Sequence, residues 1–145
     1  GAIATFPNAS VANGRFVSGP ASGSLHWRLV HGQGVDLVLH DASITFNHAS
    51  REEARDGTIS GVLDLEEFTS EMHAIASHIS MSLCGSGFDS LAATYRSMAD
   101  ILRDGTNAPG VPCDGISVGF GFNARLIANP TEVTQVVPVV DLCAN

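Results

Sequence analysis

The sequence predicts one α+β domain, in which two consecutive amphipathic helices are inserted between the strands of a mostly antiparallel β-sheet. Three observations carry this prediction: apolar residues alternate in the first third of the 145-residue chain, recur at helical spacing in the middle, and alternate again after residue 115. Strands, then helices, then strands are typical of the α+β class. A chain of this length folds around one core, so we expect a single domain over residues 1–145.

The first part of the chain is predicted to be an irregular or edge-strand lead-in over residues 1–23, because Gly, Ala, Ser, Asn and Pro are frequent there. Apolar residues then alternate over 24–31 and again over 35–48, with a Gly-Gln-Gly sequence between the two runs. This pattern predicts a β-hairpin. The apolar face of the second run changes side near Asp41, which predicts a bend or bulge at that point.

The helical part begins where the period changes. Asp64 followed by Glu67 forms a capping-box pattern, and apolar residues recur at helical spacing over about 65–83. A second amphipathic helix is predicted over about 89–103, with Gly105 as its C-terminal stop.

Two β-rich stretches follow a loop that is rich in Gly, Pro, Asn and Asp. Alternation over 116–126 predicts a strand with small and polar residues on one face. The stretch 133–142 contains Pro138, which places a strand at a sheet edge. An unpaired edge offers free backbone groups, so we expect self-association, if it occurs, to use this stretch.

Charge limits the partners of the chain. It has no Lys, seven scattered Arg and fifteen carboxylates, giving a formal net charge of −8. Nucleic acid is therefore not expected as a partner, because phosphates require a clustered basic face. A membrane span is not expected either, because no apolar run approaches the roughly 20 residues that cross a bilayer.

The three cysteines predict a disulfide, because none of them forms a CxxC pair. Cys84 and Cys113 both lie among turn residues, so we predict that they pair, with Cys113 to Cys143 as the alternative and three reduced buried thiols as a third possibility. With the first pairing, Cys143 is a free or intermolecular thiol. A disulfide would place the protein in a secreted, periplasmic or cell-surface location.

A serine hydrolase is suggested by the GxSxG pattern around Ser117 but is not predicted. A nucleophile elbow needs a helix after the serine and a catalytic His further along the chain, whereas Ser117 lies in a predicted strand and every His precedes it. If catalytic residues meet only in the fold, Asp36, His40 and Ser117 are the candidates.

Metal binding has two candidate locations. Oxygen ligands gather at the acidic loop, which suggests calcium, although the spacing of an EF-hand is absent and Asx-turns explain the same residues. The loop ligands are Asp100, Asp104, Asn107 and Asp114.

The second location is the predicted hairpin, where His40 and His48 point to one side of the strand. A transition metal needs about three converging ligands, yet these two lie roughly 26 Å apart along an extended strand. On the first helix, His73 and His78 are about 140° apart around the axis, which predicts separate surface or boundary positions.

The segments TISGVLDLEEF (58–68), ADILRDGTN (99–107) and CDGISVGFGF (113–122) resemble a recurrent C-terminal domain of secreted bacterial proteins and lipoproteins. The resemblance implies secretion and a paired Cys113, and it implies no activity.

The function expected from these features is a noncatalytic secreted module with a structural, surface or recognition role, which can self-associate and needs no cofactor. The alternatives are a metal-binding module, with calcium in the acidic loop or a transition metal at the hairpin histidines, and a small secreted hydrolase.

Overall fold

The computed structural model describes residues 4–22, 25–29, 35–127 and 139–143. It confirms the predicted α+β class, with a mostly antiparallel β-sheet and two helices. In chain order the elements are β1 (Ser10–Ala12), β2 (Arg15–Val17), β3 (Leu25–Leu29), β4 (Val35–His48), β5 (Glu53–Asp64), α1 (Leu65–Ile79), a 3₁₀ turn (Met81–Cys84), α2 (Ser86–Ser97) and β6 (Gly115–Arg125).

The sheet has the strand order β1-β2-β4-β5-β6, and β3 pairs with the first half of β4. All of these pairings are antiparallel. The register of β3 and β4, from Leu25 opposite Leu39 to Leu29 opposite Val35, confirms the predicted hairpin. The long strand β4 therefore has two neighbours on the same edge. Its first residues pair with β3, and its last residues pair with β2.

A bulge in β4 confirms the predicted change of side near Asp41. The register with β5 shifts between His40 and Ser43, and Asp41 has a φ of 49°. Asp is among the few residues that enter this left-handed region readily. The extra residue allows Leu39 and Ala42, three positions apart, to be buried in the same core cluster.

The core lies between one face of the sheet and α1. Cross-strand pairs such as Leu63 with Ile116 place apolar side chains on that face, and Phe68 and Met72 of α1 pack against the same cluster. The opposite face is polar in the middle of the sheet, where the hydroxyls of Ser43 and Ser60 lie 2.8 Å apart. Burial of the apolar face is what joins helix and sheet into one core.

Helix α1 begins at the predicted cap. The Asp64 carboxylate accepts hydrogen bonds from the backbone N–H groups of Glu66 and Glu67, at 2.8 and 3.1 Å, as an N-cap residue does. The helix ends at Ile79 instead of residue 83, because Ser80 adopts an extended conformation and starts the 3₁₀ turn.

Helix α2 differs more from its prediction, since it spans Ser86–Ser97 and not 89–103. Residues after the helix turn back to the sheet, where Ile101 and Gly115 form an antiparallel bridge. These backbone bonds compete with helix continuation. Gly105, at a φ of 77°, therefore lies in a separate turn and does not end α2.

The segment predicted as a lead-in contains the hairpin of β1 and β2 at the edge of the sheet. Asn13 and Gly14 connect the two strands with φ values of 50° and 75°. Most of the predicted C-terminal strand, residues 133–138, lies outside the described residues, and residues 139–143 form no strand.

The disulfide joins Cys84 to Cys143, with a Cα–Cα distance of 5.1 Å, and Cys113 is a half-buried free cysteine. The predicted pair of Cys84 with Cys113 and the predicted free Cys143 are both wrong, as is the paired Cys113 that the resemblance implied. Cys113 precedes the residue whose carbonyl accepts from Leu65 N–H at the start of α1, whereas Cys84 follows the end of that helix. A 15-residue helix is about 22 Å long, which separates the two cysteines.

None of the helices in the described part of the chain has the length and apolar character needed to cross a membrane.

Candidate functional site

A groove of about 530 Å³ lies between the two helices and the loop that follows them. The helices run antiparallel, because Phe68 stacks edge-on against Tyr95 and His73 against Phe88, with ring centroids 5.2 and 4.6 Å apart. From α1 and its cap, the groove is lined by Asp64, Leu65, Glu66, Thr69, Ser70 and His73. From α2 and the loop, it is lined by Phe88, Arg96, Arg103 and Asp114. This volume is within the range of sites for small molecules.

The two arginines of the groove have different environments. Arg103 lies 3.5 Å from the Asp64 carboxylate and 3.7 Å from that of Asp114, so its charge is shared between two acids. Arg96 forms no ion pair with another described residue. A guanidinium that lines a groove without a carboxylate partner is available to an anionic group of a ligand.

The groove also contains a hydroxyl that the described protein atoms do not satisfy. Oγ1 of Thr69 is buried and has no hydrogen-bond partner among the described residues. An unpaired buried polar group costs about 1–3 kcal/mol.

Next to His73 of the groove, residues 139–143 are held against α1 by a set of contacts that we call the C-terminal clamp. Nδ1 of His73 donates to Oδ2 of Asp141 at 2.9 Å, and Nε2 of His78 donates to the carbonyl of Val140 at 2.7 Å. The hydroxyl of Ser77 accepts from the Leu142 N–H at 3.1 Å. The Cys84–Cys143 disulfide adds a covalent link to these bonds.

A hydrogen bond within the C-terminal segment holds the Asp141 carboxylate in place for its contact with His73. Its Oδ1 accepts from the backbone N–H of Cys143 at 2.8 Å. This bond is the main reason that the pKa of Asp141 is below its ordinary value; the hydrogen bond from His73 and the charges of His73 and His78 add to the effect, and desolvation opposes it. The carboxylate is thus held ionised beside the imidazole.

His73 belongs to both features, because it lines the groove and bonds to the C-terminal clamp. An imidazole fixed by a carboxylate on one nitrogen has a defined orientation. His73 was predicted to be an ordinary helix-surface or boundary residue. Its partner is 68 residues away, and no local spacing in the sequence could have indicated the pair.

One group of three potential metal ligands is present among the described residues: one atom each from His73, Asp141 and Cys143, all within 4.8 Å of one another. All three residues are half-buried. In the oxidised chain the Cys143 sulfur is bonded to Cys84 and is not a thiolate, the form in which cysteine binds metals. The oxidised group therefore offers one nitrogen and one carboxylate.

The carboxylates of the predicted calcium loop accept hydrogen bonds from other protein groups. Asp100 accepts from the Ser117 N–H and hydroxyl at 2.8 and 2.5 Å, and Asp104 accepts from the N–H and hydroxyl of Thr106 at 3.0 and 2.6 Å. In each case the side-chain hydrogen bond is the largest cause of a lowered carboxylate pKa.

The other two loop residues do not join them in a ligand group. Oδ1 of Asp114 accepts from the Arg103 N–H at 2.8 Å, and Asn107 is exposed. Within the described part of the chain, the loop carboxylates form no group of three mutually close ligand atoms. Asp104 forms the local bonds of the Asx-turns weighed as the alternative, whereas Asp100 and Asp114 bond to residues 17 and 11 positions away.

The hairpin histidines are not brought together. His40 lies at the bulge, with Nε2 2.8 Å from Oε2 of Glu67, whereas His48 is the last residue of β4 and is exposed. The hypothetical catalytic set is also divided. In the sheet register His40 is opposite Val62 and Val62 is opposite Ser117, so Val62 separates the two, and the Ser117 hydroxyl donates to Asp100.

Comparison of the chain with protein-family models, with curated proteins and with solved structures finds no match.

Proposed function

We propose that this protein is a noncatalytic recognition module outside the cytoplasm, and that the groove between α1 and α2 binds a small amphipathic ligand with an anionic group. The observation that carries the proposal is the groove itself, with Arg96 lacking an ion pair among the described residues. The disulfide supports an oxidising compartment.

The two ends of the groove suit two parts of such a ligand. Phe88 and His73 form an aromatic end, where their rings meet edge to face. The other end is polar, and there Arg103 lies 3.5 Å from the Asp64 carboxylate and 3.7 Å from that of Asp114 and neutralises part of their charge. An apolar ligand body would lie against the aromatic end while its anionic group bonds to Arg96, since pockets combine apolar lining with a few polar groups that orient the ligand.

A binding role without chemistry is favoured by the separation of the catalytic candidates. Asp36 donates its backbone N–H to Glu71 at 2.9 Å, His40 lies beside Glu67, and Ser117 bonds to Asp100. Nucleophilic catalysis requires a base within hydrogen-bond reach of the nucleophile. Each candidate instead has its own neighbour.

The test uses N-acetyl-phenylalanine, an aromatic carboxylate, and N-acetyl-phenylalaninamide, which has the same body without the charge. We expect the carboxylate to shift the amide NMR signals of groove residues and to bind about tenfold more tightly than the amide. The variant Arg96→Gln should remove this preference.

The matched control is Arg51→Gln, since Arg51 is exposed in the turn between β4 and β5. This variant should keep the preference for the carboxylate. Equal binding of the two compounds, no binding of either, or equal effects of the two Arg variants would contradict the proposal.

A second candidate function, hydrolysis, is favoured by one observation: Asp141 orients His73 in the groove, as a carboxylate orients a general base. Its test is the hydrolysis of p-nitrophenyl acetate and p-nitrophenyl phosphate by the wild type and by His73→Gln. Turnover that is lost in the variant would move hydrolysis ahead of simple binding, and absence of turnover would exclude these two ester classes.

A further inference from the structure

The C-terminal clamp contains three metal-ligand types at one point: a nitrogen from His73, an oxygen from Asp141 and a sulfur from Cys143, all mutually within 4.8 Å. This mixture of donors suits Zn²⁺, which takes imidazole, carboxylate and thiolate in tetrahedral sites. The sulfur is the one donor withheld, because it is bonded to Cys84.

We propose that reduction of the Cys84–Cys143 disulfide creates a zinc site from His73, Asp141 and Cys143, and that oxidation abolishes it. Formation of the site does not require a ligand in the groove, although His73 belongs to both. A dithiol reductant supplies two electrons and two protons, the S–S bond breaks to give two thiols, and the reductant becomes a cyclic disulfide. Zinc then replaces the proton of the Cys143 thiol.

The distance between His73 and Asp141 requires little rearrangement. Ligand atoms of a tetrahedral zinc ion are roughly 3.3–3.8 Å apart, given Zn–N near 2.0 Å and Zn–S near 2.3 Å. The nitrogen of His73 and the oxygen of Asp141 now lie 2.9 Å apart in a hydrogen bond. This pair needs to open by about 1 Å or less to admit the ion.

The site stays assembled without the disulfide, because other contacts hold the segment against α1. The Leu142 N–H bonds to Ser77, which is buried and in turn donates to the Ala74 carbonyl at 2.6 Å. His78 bonds to the carbonyl of Val140. These contacts place Cys143 beside His73 in the reduced chain as well.

The position of Cys113, near the start of α1, explains why it is not part of the zinc site. It precedes the Asp114 carbonyl that accepts from Leu65 at the start of α1, whereas His73 lies eight residues along that helix, about 12 Å away. The variant Cys113→Ser therefore removes a competing thiol without touching the proposed ligands.

Two variants on the Cys113→Ser background separate the zinc site from the loss of the disulfide. Cys84→Ser and Cys143→Ser both delete the covalent link, but only Cys84→Ser keeps the Cys143 thiol. We expect Cys84→Ser to bind one equivalent of Zn²⁺ in a chelator competition, about tenfold or more tightly than Cys143→Ser. With Co²⁺ it should show a sulfur-to-metal charge-transfer band that Cys143→Ser lacks.

Oxidised protein with both cysteines should bind no more tightly than Cys143→Ser, and its reduction should raise the affinity. His73→Gln in the Cys84→Ser protein should lower the affinity again. Equal zinc affinity of the two serine variants, or a charge-transfer band absent from Cys84→Ser, overturns the proposal. If either serine variant is unfolded by circular dichroism, the chemically reduced Cys113→Ser protein is titrated instead, and failure of that form to fold or to bind overturns the proposal equally.

Discussion

His73 donates a hydrogen bond to Asp141 across 2.9 Å of space and 68 positions of sequence. The bond joins a groove-lining residue of α1 to the segment that carries Cys143. Because the same segment is held by Ser77 and His78, a change in the C-terminal clamp acts on one wall of the groove. We therefore expect His73 to respond both to ligand binding in the groove and to the oxidation state of the Cys84–Cys143 disulfide.

Asp141→Asn should lower stability in a pH-dependent way. The pKa of Asp141 is lowered in the folded state, first by the Cys143 N–H bond, so the ionised form stabilises the fold above the unfolded pKa and this contribution is lost as pH falls through the folded pKa. We expect the difference in free energy of unfolding between wild type and variant to be constant above about pH 5 and to shrink below about pH 4. Urea unfolding at a series of pH values measures it. A difference that stays the same down to about pH 2.5 would show that the charge of Asp141 does not matter.

Removing the disulfide should cost about 4 kcal/mol of the free energy of unfolding in the chain-entropy model, because it closes a loop whose ends are 59 residues apart. Denaturant unfolding of the wild type and of Cys84→Ser gives the difference. Cys113→Ser is the matched control and should change stability far less, since Cys113 forms no disulfide.

Peptide mapping without reduction tests the connectivity directly. A linked peptide pair that contains Cys84 and Cys143 is expected. A pair that contains Cys113 would contradict the structure, and so would a large stability loss in Cys113→Ser alone.

Elements with local signals could be predicted from the sequence. The cap at Asp64 and the bulge at Asp41 both follow from patterns of a few residues, and both are present. The Asn13-Gly14 turn was missed although its dipeptide is a strong hairpin signal. The composition of the surrounding segment predicts an irregular or edge-strand lead-in and does not by itself indicate the turn.

Features that depend on distant residues could not be predicted. Helix α2 ends early because Ile101 bonds to Gly115, a partner that no helical periodicity reveals. The disulfide was assigned to cysteines in turns, yet the length of α1 keeps Cys113 from Cys84. The groove and the contact of His73 with Asp141 likewise exist only once the helices and the C-terminal segment have packed.

Gly115→Ala should destabilise the protein by about 1–3 kcal/mol, because an added methyl group overpacks the site. A Cβ at Gly115 would lie 2.6 Å from Cγ1 of Val62 and 3.1 Å from the backbone of Arg103. Gly119→Ala, in the same strand, is the control, since its nearest contact is Thr58 Cγ2 at 3.8 Å. Urea unfolding should show a change of about 0.5 kcal/mol or less for the control. Equal losses in both variants would mean that the loop over Val62 does not pack as described.

Leu39→Ala should cost about 2–5 kcal/mol, because deleting a fully buried leucine side chain loses its transfer free energy and leaves a cavity. Leu39 is 0% exposed and lies in the core cluster beside the β4 bulge. Val11 is 64% exposed in β1 at the sheet edge, so Val11→Ala should change stability by about 0.5 kcal/mol or less. Thermal and urea unfolding of both variants measure the difference. If the bulge at Asp41 did not turn Leu39 into the core, the two substitutions would have similar effects, so this comparison tests the side switch in β4 and the burial of Leu39 together.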